Sequence, residues 1–195
     1  MDSFLFCLIL VALLGLGGRD QIVIAQLSDT LAERGDPLIR RPVPLLILGL
    51  VCAGVTAGVM AYAGATLAQI VPSRAARMLV AFALALAAVE LAWPVRARAP
   101  REPTRSLGAI GLVLLWRQLG DAARFVVFAF AVGAPYPLTA LLGGALGGGA
   151  TVTIGWTLGA QTLSRWPLGW IRFGFALPTI IAAVFIGLNA RYGAP

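Results

Sequence analysis

Residues 107–132, LGAIGLVLLWRQLGDAARFVVFAFAV, form a run long enough to cross a bilayer, yet Arg117, Gln118, Asp121 and Arg124 lie in its middle. Hydrocarbon offers the backbone no partners, so a spanning chain is limited to helices or a closed barrel, and ~20 apolar residues make one helical crossing. Ionisable groups inside such a helix turn towards a bundle interior, pair with one another or line a solute path. The first apolar run, FLFCLILVALLGLGGRDQIVIA, is interrupted in the same way by Arg19 and Asp20.

With 59% hydrophobic and 12% charged residues among 195, and a mean hydropathy of +0.90, the chain reads as an integral membrane protein. The net charge is +7 and every basic side chain is arginine. Most of the arginines fall in short loops between apolar runs instead of on one stripe, which argues against nucleic acid as a partner and for the lipid bilayer. Cys7 and Cys52 sit inside apolar runs, where a thiol behaves as a small buried hydrophobe, and no disulfide is expected. The lack of histidine removes imidazole metal ligands and the commonest general base. The stretch from Phe4 has the look of a signal peptide, but Asp2 precedes it, no small-x-small cleavage site follows and apolar character resumes at Ile22. It is expected to be an uncleaved first span.

Six spans are expected, at about 4–26, 44–70, 76–93, 107–132, 138–163 and 168–190. The segment 94–106, PVRARAPREPTRS, is a solvated connector, because its prolines and arginines suit neither a helix nor lipid. One side of the membrane receives Arg34, Arg40, Arg41, Arg96, Arg98, Arg101, Arg105 and Arg165, with Arg172 near the same edge; the other receives Arg74, Arg77 and Arg191. The positive-inside rule makes the first side cytoplasmic and puts both termini outside, as in a bacterial inner membrane.

Splitting the chain at this linker exposes a repeat. Gly49, Gly54, Gly64 and Arg77 fall on Gly144, Gly149, Gly159 and Arg172 at a constant offset of 95 residues. Ahead of that block the offset becomes 103, setting Gly17 against Gly120, because the first loop is longer than its counterpart GAPYP. Three spans per half force the copies to insert in opposite directions. The expected fold class is therefore all-α integral membrane, with six transmembrane helices as two inverted-topology three-helix repeats, residues 1–93 and 107–195, joined by the basic cytoplasmic linker 94–106. Gly54 with Gly58, Gly144 with Gly148, and Gly155 with Gly159 are spaced to let a neighbouring helix approach closely, and Pro178 should kink the last span.

On a continuous helix Arg117, Gln118 and Asp121 share one side, with Arg124 a turn further on. Here the chain resembles the GDT-type cation:proton exchangers, a family that includes Golgi and bacterial manganese or calcium transporters. The likeness spans nearly the full length: two three-helix halves, a basic central linker, Gly-rich second helices, and a motif Glu-x-Gly-Asp-(Lys/Arg)-(Ser/Thr) opening each half. The second copy reads Gln118-Leu119-Gly120-Asp121-Ala122-Ala123-Arg124, and the first Gly15-Leu16-Gly17-Gly18-Arg19-Asp20-Gln21.

The resemblance implies a secondary transporter that exchanges manganese or calcium for protons and needs no cofactor. Carboxylates on two inward-facing helices would give a divalent ion hard oxygen ligands and take up protons when it leaves. Carried onto this chain, the ion-binding set is Asp121, Gln118, Asp20, Gln21, Arg19 and Arg124, with Asp121 and Asp20 as the metal ligands. Two intact motifs carry a surplus of two negative charges, whereas Asp20 and Asp121 against Arg19, Arg117 and Arg124 leave one positive charge. Such a site should hold a divalent cation weakly. On a continuous helix Asp20 would also lie about 200° round from the family's Asp position.

The alternative to an exchanger is a non-transporting relative whose Arg–Asp pairs stabilise or regulate a membrane partner. An enzyme is not expected, since no pair of side chains has a convincing catalytic spacing. Glu90, beside Trp93 at the end of the third span, is expected to reach the interface as an anchor. Gln69, Gln161 and Asn189 carry no assigned role.

Overall fold

The computed structural model describes residues 2–34, 42–95 and 106–193. Residues 35–41 and 96–105, which hold most of the arginines expected to face the cytoplasm, lie outside that set. Among the described residues the chain is wholly helical: α1 (Asp2–Leu14), α2 (Arg19–Arg34), α3 (Val43–Ile70), α4 (Ser73–Ala92), α5 (Leu107–Leu119), α6 (Ala122–Gly133), α7 (Pro137–Leu163) and α8 (Leu168–Tyr192). Prolines mark four starts. Pro44 lies in the first turn of α3 and Pro137 opens α7, while Pro72 and Pro167 stand just ahead of α4 and α8. A first-turn residue has no intrahelical acceptor for its N–H, so proline loses nothing there.

Four helices, α3, α4, α7 and α8, are long and apolar enough to cross a membrane, and the pair α1–α2, bent by 62° at its break, is so only when its two helices are taken together. Together they mark an integral membrane protein. Its outer surface agrees: Phe6, Ile47, Val51, Leu86, Ile181 and Phe185 are all more than half exposed, an arrangement that lipid favours and water does not. The helices α5 and α6, with 13 and 12 residues, are each too short to cross alone at 1.5 Å per residue.

The structure departs from the expected layout at the two runs that carry buried charge. Neither 4–26 nor 107–132 is one continuous helix: the first breaks at Gly15–Gly18 and the second at Gly120–Asp121. The cause is local. Gly17 adopts φ +73°, which L side chains avoid, and Asp121 leaves the helix to cap the next one, its carboxylate accepting from the Ala123 N–H at 3.3 Å.

The centre is built by α3 against α7, with α1 and α2 laid along α7 and α5 and α6 along α3; α4 pairs with α8 and with α6. Small residues permit these approaches. A Cβ on Gly143 or Gly147 would lie 2.8 Å from Phe4 O or 2.6 Å from Leu8 O, so α1 crosses α7 backbone to backbone. Gly64 does the same for α6, where Phe128 O would be 2.8 Å away. The expected packing pairs hold only in part: Gly144, Gly148 and Gly155 lie at close approaches, whereas Gly54 and Gly58 have nothing within 4 Å. Pro178 sits inside α8.

Candidate functional site

Both breaks deliver a helix N-terminus into the interior. At the first, Asp20 Oδ1 accepts from the Gln21 N–H at 2.8 Å, and Gln21 Oε1 accepts in turn from the Gly17 N–H at 2.7 Å. Gln21 is fully buried and its Nε2 donates to Thr151 O at 3.1 Å, which ties the start of α2 to α7. At the second break, Asp121 caps Ala123 through Oδ2, while the Ala122 N–H donates to Glu90 Oε2 from α4 at 3.4 Å. Each N-terminus carries a partial positive charge that favours a carboxylate beside it.

The two acids of the sequence reading share one space. A Cβ on Gly18 would lie 2.8 Å from Asp20 Oδ1 and 3.4 Å from Asp121 Oδ1, so both carboxylates reach the same small volume beside Gly18. The angular argument that set Asp20 apart fails, because the helix is broken just ahead of it and α2 starts in a new direction. Asp20 and Asp121 are 4% and 5% exposed. Asp121 Oδ1 has no hydrogen-bond partner among the described residues, and neither has Gln118 Nε2. Gln118 is fully buried, and its Oε1 accepts from Thr56 Oγ1 at 3.1 Å. Buried polar atoms left unpaired are uncommon in folded proteins, and these two stand beside the shared volume of the carboxylates and on the helix that leads to it.

Arg124 lies inside, with Nη1 donating to Gly144 O at 3.1 Å and the guanidinium resting where a side chain on Gly148 would otherwise stand. Arg19 is half exposed, and its Nε is 3.6 Å from Glu90 Oε1. Arg117 is exposed on the outside of α5 and takes no part, because the break at Gly120 separates it from the face that Asp121 occupies.

Two further residues lie elsewhere than their place in the sequence suggests. Glu90 is buried, not an interfacial anchor, and Arg172 is buried, not at a loop edge. They pair: Arg172 Nη2 donates to Glu90 Oε2 at 2.7 Å and to Glu90 O at 2.9 Å. Position near a helix end pointed to the interface, but that end of α4 packs against α6 and α8 inside the bundle. The only available signal was that an acid and a base both stand in otherwise apolar spans. Gln69, Gln161 and Asn189 are exposed.

The charge count changes accordingly. Asp20, Glu90 and Asp121 face Arg19, Arg124 and Arg172, so the interior is neutral in formal charge, not positive by one. Among the described residues no three carboxylates, thiols or imidazoles converge so as to hold a metal ion. The arrangement supplies two carboxylates with shared access, an open amide donor and, on neighbouring Glu90, the guanidinium groups of Arg19 and Arg172. No family model matches the chain, nor does any curated protein or solved structure.

Proposed function

We propose that the protein is a secondary membrane transporter, built as two inverted three-helix repeats of six spans, whose solute is exchanged for protons where the two broken helices meet. The single observation that carries this reading is the shared space of Asp20 and Asp121, each delivered by a chain break into the interior. Discontinuous helices meeting at depth are how transporters expose polar groups to a solute without leaving backbone unpaired in lipid.

Contacts that repeat under the two sequence offsets support the inverted repeat. Gly49 faces Val152 and Ile24, and its counterpart Gly144 faces Ala57 and Val127, the counterparts of those two. Thr56 bonds Gln118, while its counterpart Thr151 stands against Gly15, the counterpart of Gln118. Cys52 reaches Gly111 O, and Gly147 approaches Leu8 O. On this reading α5–α6 is the fourth span, broken like the first, and the repeats are residues 1–93 and 107–195 around the linker 94–106. The face bearing that linker is cytoplasmic, both termini lie outside, and the setting is a bacterial inner membrane.

The cargo that fits the GDT resemblance is a divalent cation, manganese or calcium. Asp20 and Asp121 would hold it as ionised oxygen ligands. Protonation of the two carboxylates removes the charge that holds the ion, so proton and cation compete for the same oxygens. No bond is made or broken, and the reading is not enzymatic.

A second reading has an observation of its own. Three carboxylates are answered by three guanidinium groups, as expected if the pairs have become structural in a non-transporting relative. Manganese and calcium flux in proteoliposomes under an imposed pH gradient separates the two. The transporter reading expects flux above protein-free vesicles, and a further rise in Gln118→Glu, which adds an oxygen ligand and negative charge. Flux at background for the folded natural chain and for Gln118→Glu favours the structural role.

A further inference from the structure

The end of α2 meets a second irregularity, in α7. Gly159 sits inside α7 with φ +73° and ψ 170°, which interrupts the helix there. A helix ladder would bond the Ala160 N–H to Trp156 O. Instead Ala160 N donates to Asp29 Oδ2 at 2.7 Å, and Trp156 O accepts from Ser28 Oγ at 3.1 Å. Two adjacent side chains of α2 thus take up both halves of one broken backbone bond.

The other repeat supplies the comparison, given the pseudo-symmetry argued above. Gly159 corresponds to Gly64, and Ser28–Asp29 correspond to Ala131–Val132. Gly64 packs against Ala131 and Val132, and α3 runs through it without interruption. The same element is therefore closed where its neighbour is apolar and open where its neighbour is Ser-Asp.

We infer that Ser28–Asp29 is a wedge that holds α7 open at Gly159, and that withdrawing α2 lets α7 close its ladder into a continuous helix. Glycine permits both states, because it visits φ above zero as readily as below. An Ala160 N–H stripped of Asp29 can regain its ladder acceptor, Trp156 O, by rotation at Gly159. Because α2 begins at the site, with Asp20 and Gln21 in its first turn, the wedge and the site share one rigid rod. Gln21 on Thr151 and Asp29 on Ala160 fasten that rod to α7 at two points. A change at Asp20 that moves α2 is thereby read out as opening or closure of α7, and only on this face, since Ala131–Val132 offer no polar groups for the reciprocal insertion. This extends the proposed transport cycle by giving it a gate.

The test uses the full chain in nanodiscs, with Cys7 and Cys52 replaced by alanine and spin labels at the exposed pairs Thr30/Trp93 and Gln161/Trp93. Distances are read by pulsed dipolar spectroscopy. Asp29→Ala should add or enlarge a second distance in both pairs, and Gly159→Ala should do so too, by disfavouring a conformation nearly confined to glycine about 5–150-fold. If Gly159→Ala does not fold, Asp29→Ala alone decides. Unchanged distances in the folded variants would make the break a fixed feature and overturn the wedge. The distances need no transport to be read, so movement in a protein without flux sustains the wedge and removes the transport reading, and flux without movement does the reverse.

Discussion

The α1–α2 break and the α5–α6 break occupy corresponding places in the two halves and are held by different physics. At the first, the turn itself demands glycine: Gly17 has φ +73°, and a Cβ there would stand 3.0 Å from Leu168 Cβ and 3.2 Å from Arg172 Cδ. At the second, Gly120 has φ −91° and ψ 10°, open to any residue, and a Cβ would have only Arg117 O at 4.0 Å. There the break is held by carboxylates, Asp121 on Ala123 and Glu90 on Ala122. The Gly17 turn keeps its shape whatever charge stands beside it, whereas contacts made by carboxylates change when those groups bind a cation or a proton: Asp121 and Glu90 at the second break, and Asp20 on the Gln21 N–H at the first. The turn of the second break can therefore loosen with occupancy of the site, while at the first break it is α2, beyond the Gly17 turn, that can shift with Asp20.

The comparison breaks most readily at Glu90. Glu90→Ala leaves Arg172 buried without its partner, and such losses cost about 3–5 kcal/mol. A large fall in the thermal unfolding midpoint in detergent is expected, with Glu90→Gln milder because the amide oxygen still accepts from Ala122. A Glu90→Ala protein that melts with the natural one would mean that the second break is not held from α4.

Next comes Gly17→Ala, expected to lose about 2–4 kcal/mol through left-handed strain and crowding against α8. Its counterpart Gly120→Ala should stay within about 0.5 kcal/mol. Measuring both under the same conditions sharpens the contrast. Equal losses would show that the first break does not depend on its glycine.

The long helices were legible from the sequence because unbroken apolar length and loop prolines leave a spanning chain little choice, as in α3 and α7. The breaks were not, for a physical reason: Gly15–Gly18 and Gly120–Asp121 look like tolerated polar interruptions until the carboxylates are seen capping a new helix. Asp20, Gln21, Gln118, Asp121 and Arg124 were noticed because charge and amide groups stand out in apolar runs. Their geometry was argued on a continuous helix, so Arg117 was placed on the side of Asp121 and counted among the charges, and Asp20, though in the set, was turned away from the motif's Asp position. Glu90 and Arg172 were separated by the eye because they are 82 residues apart and lie at helix ends, where interface and interior look alike in sequence. Placing acids at every position of the GDT-type motif is also closed by packing, since a Cβ on Gly15 would stand 2.8 Å from Thr151 Cγ2. Gln118→Glu is the substitution that leaves the backbone undisturbed.

The central claim is that Asp20 and Asp121, brought together by the two breaks, form one exchange site. A double-mutant cycle on manganese flux in proteoliposomes under a pH gradient tests it most directly, with Asp20→Asn, Asp121→Asn and the pair together, each checked for folding. Residues acting as a unit are non-additive. The account predicts that either single change takes flux to the protein-free level and that the double change takes it no lower. Natural flux in Asp121→Asn, or two partial losses that multiply in the double variant, would contradict it.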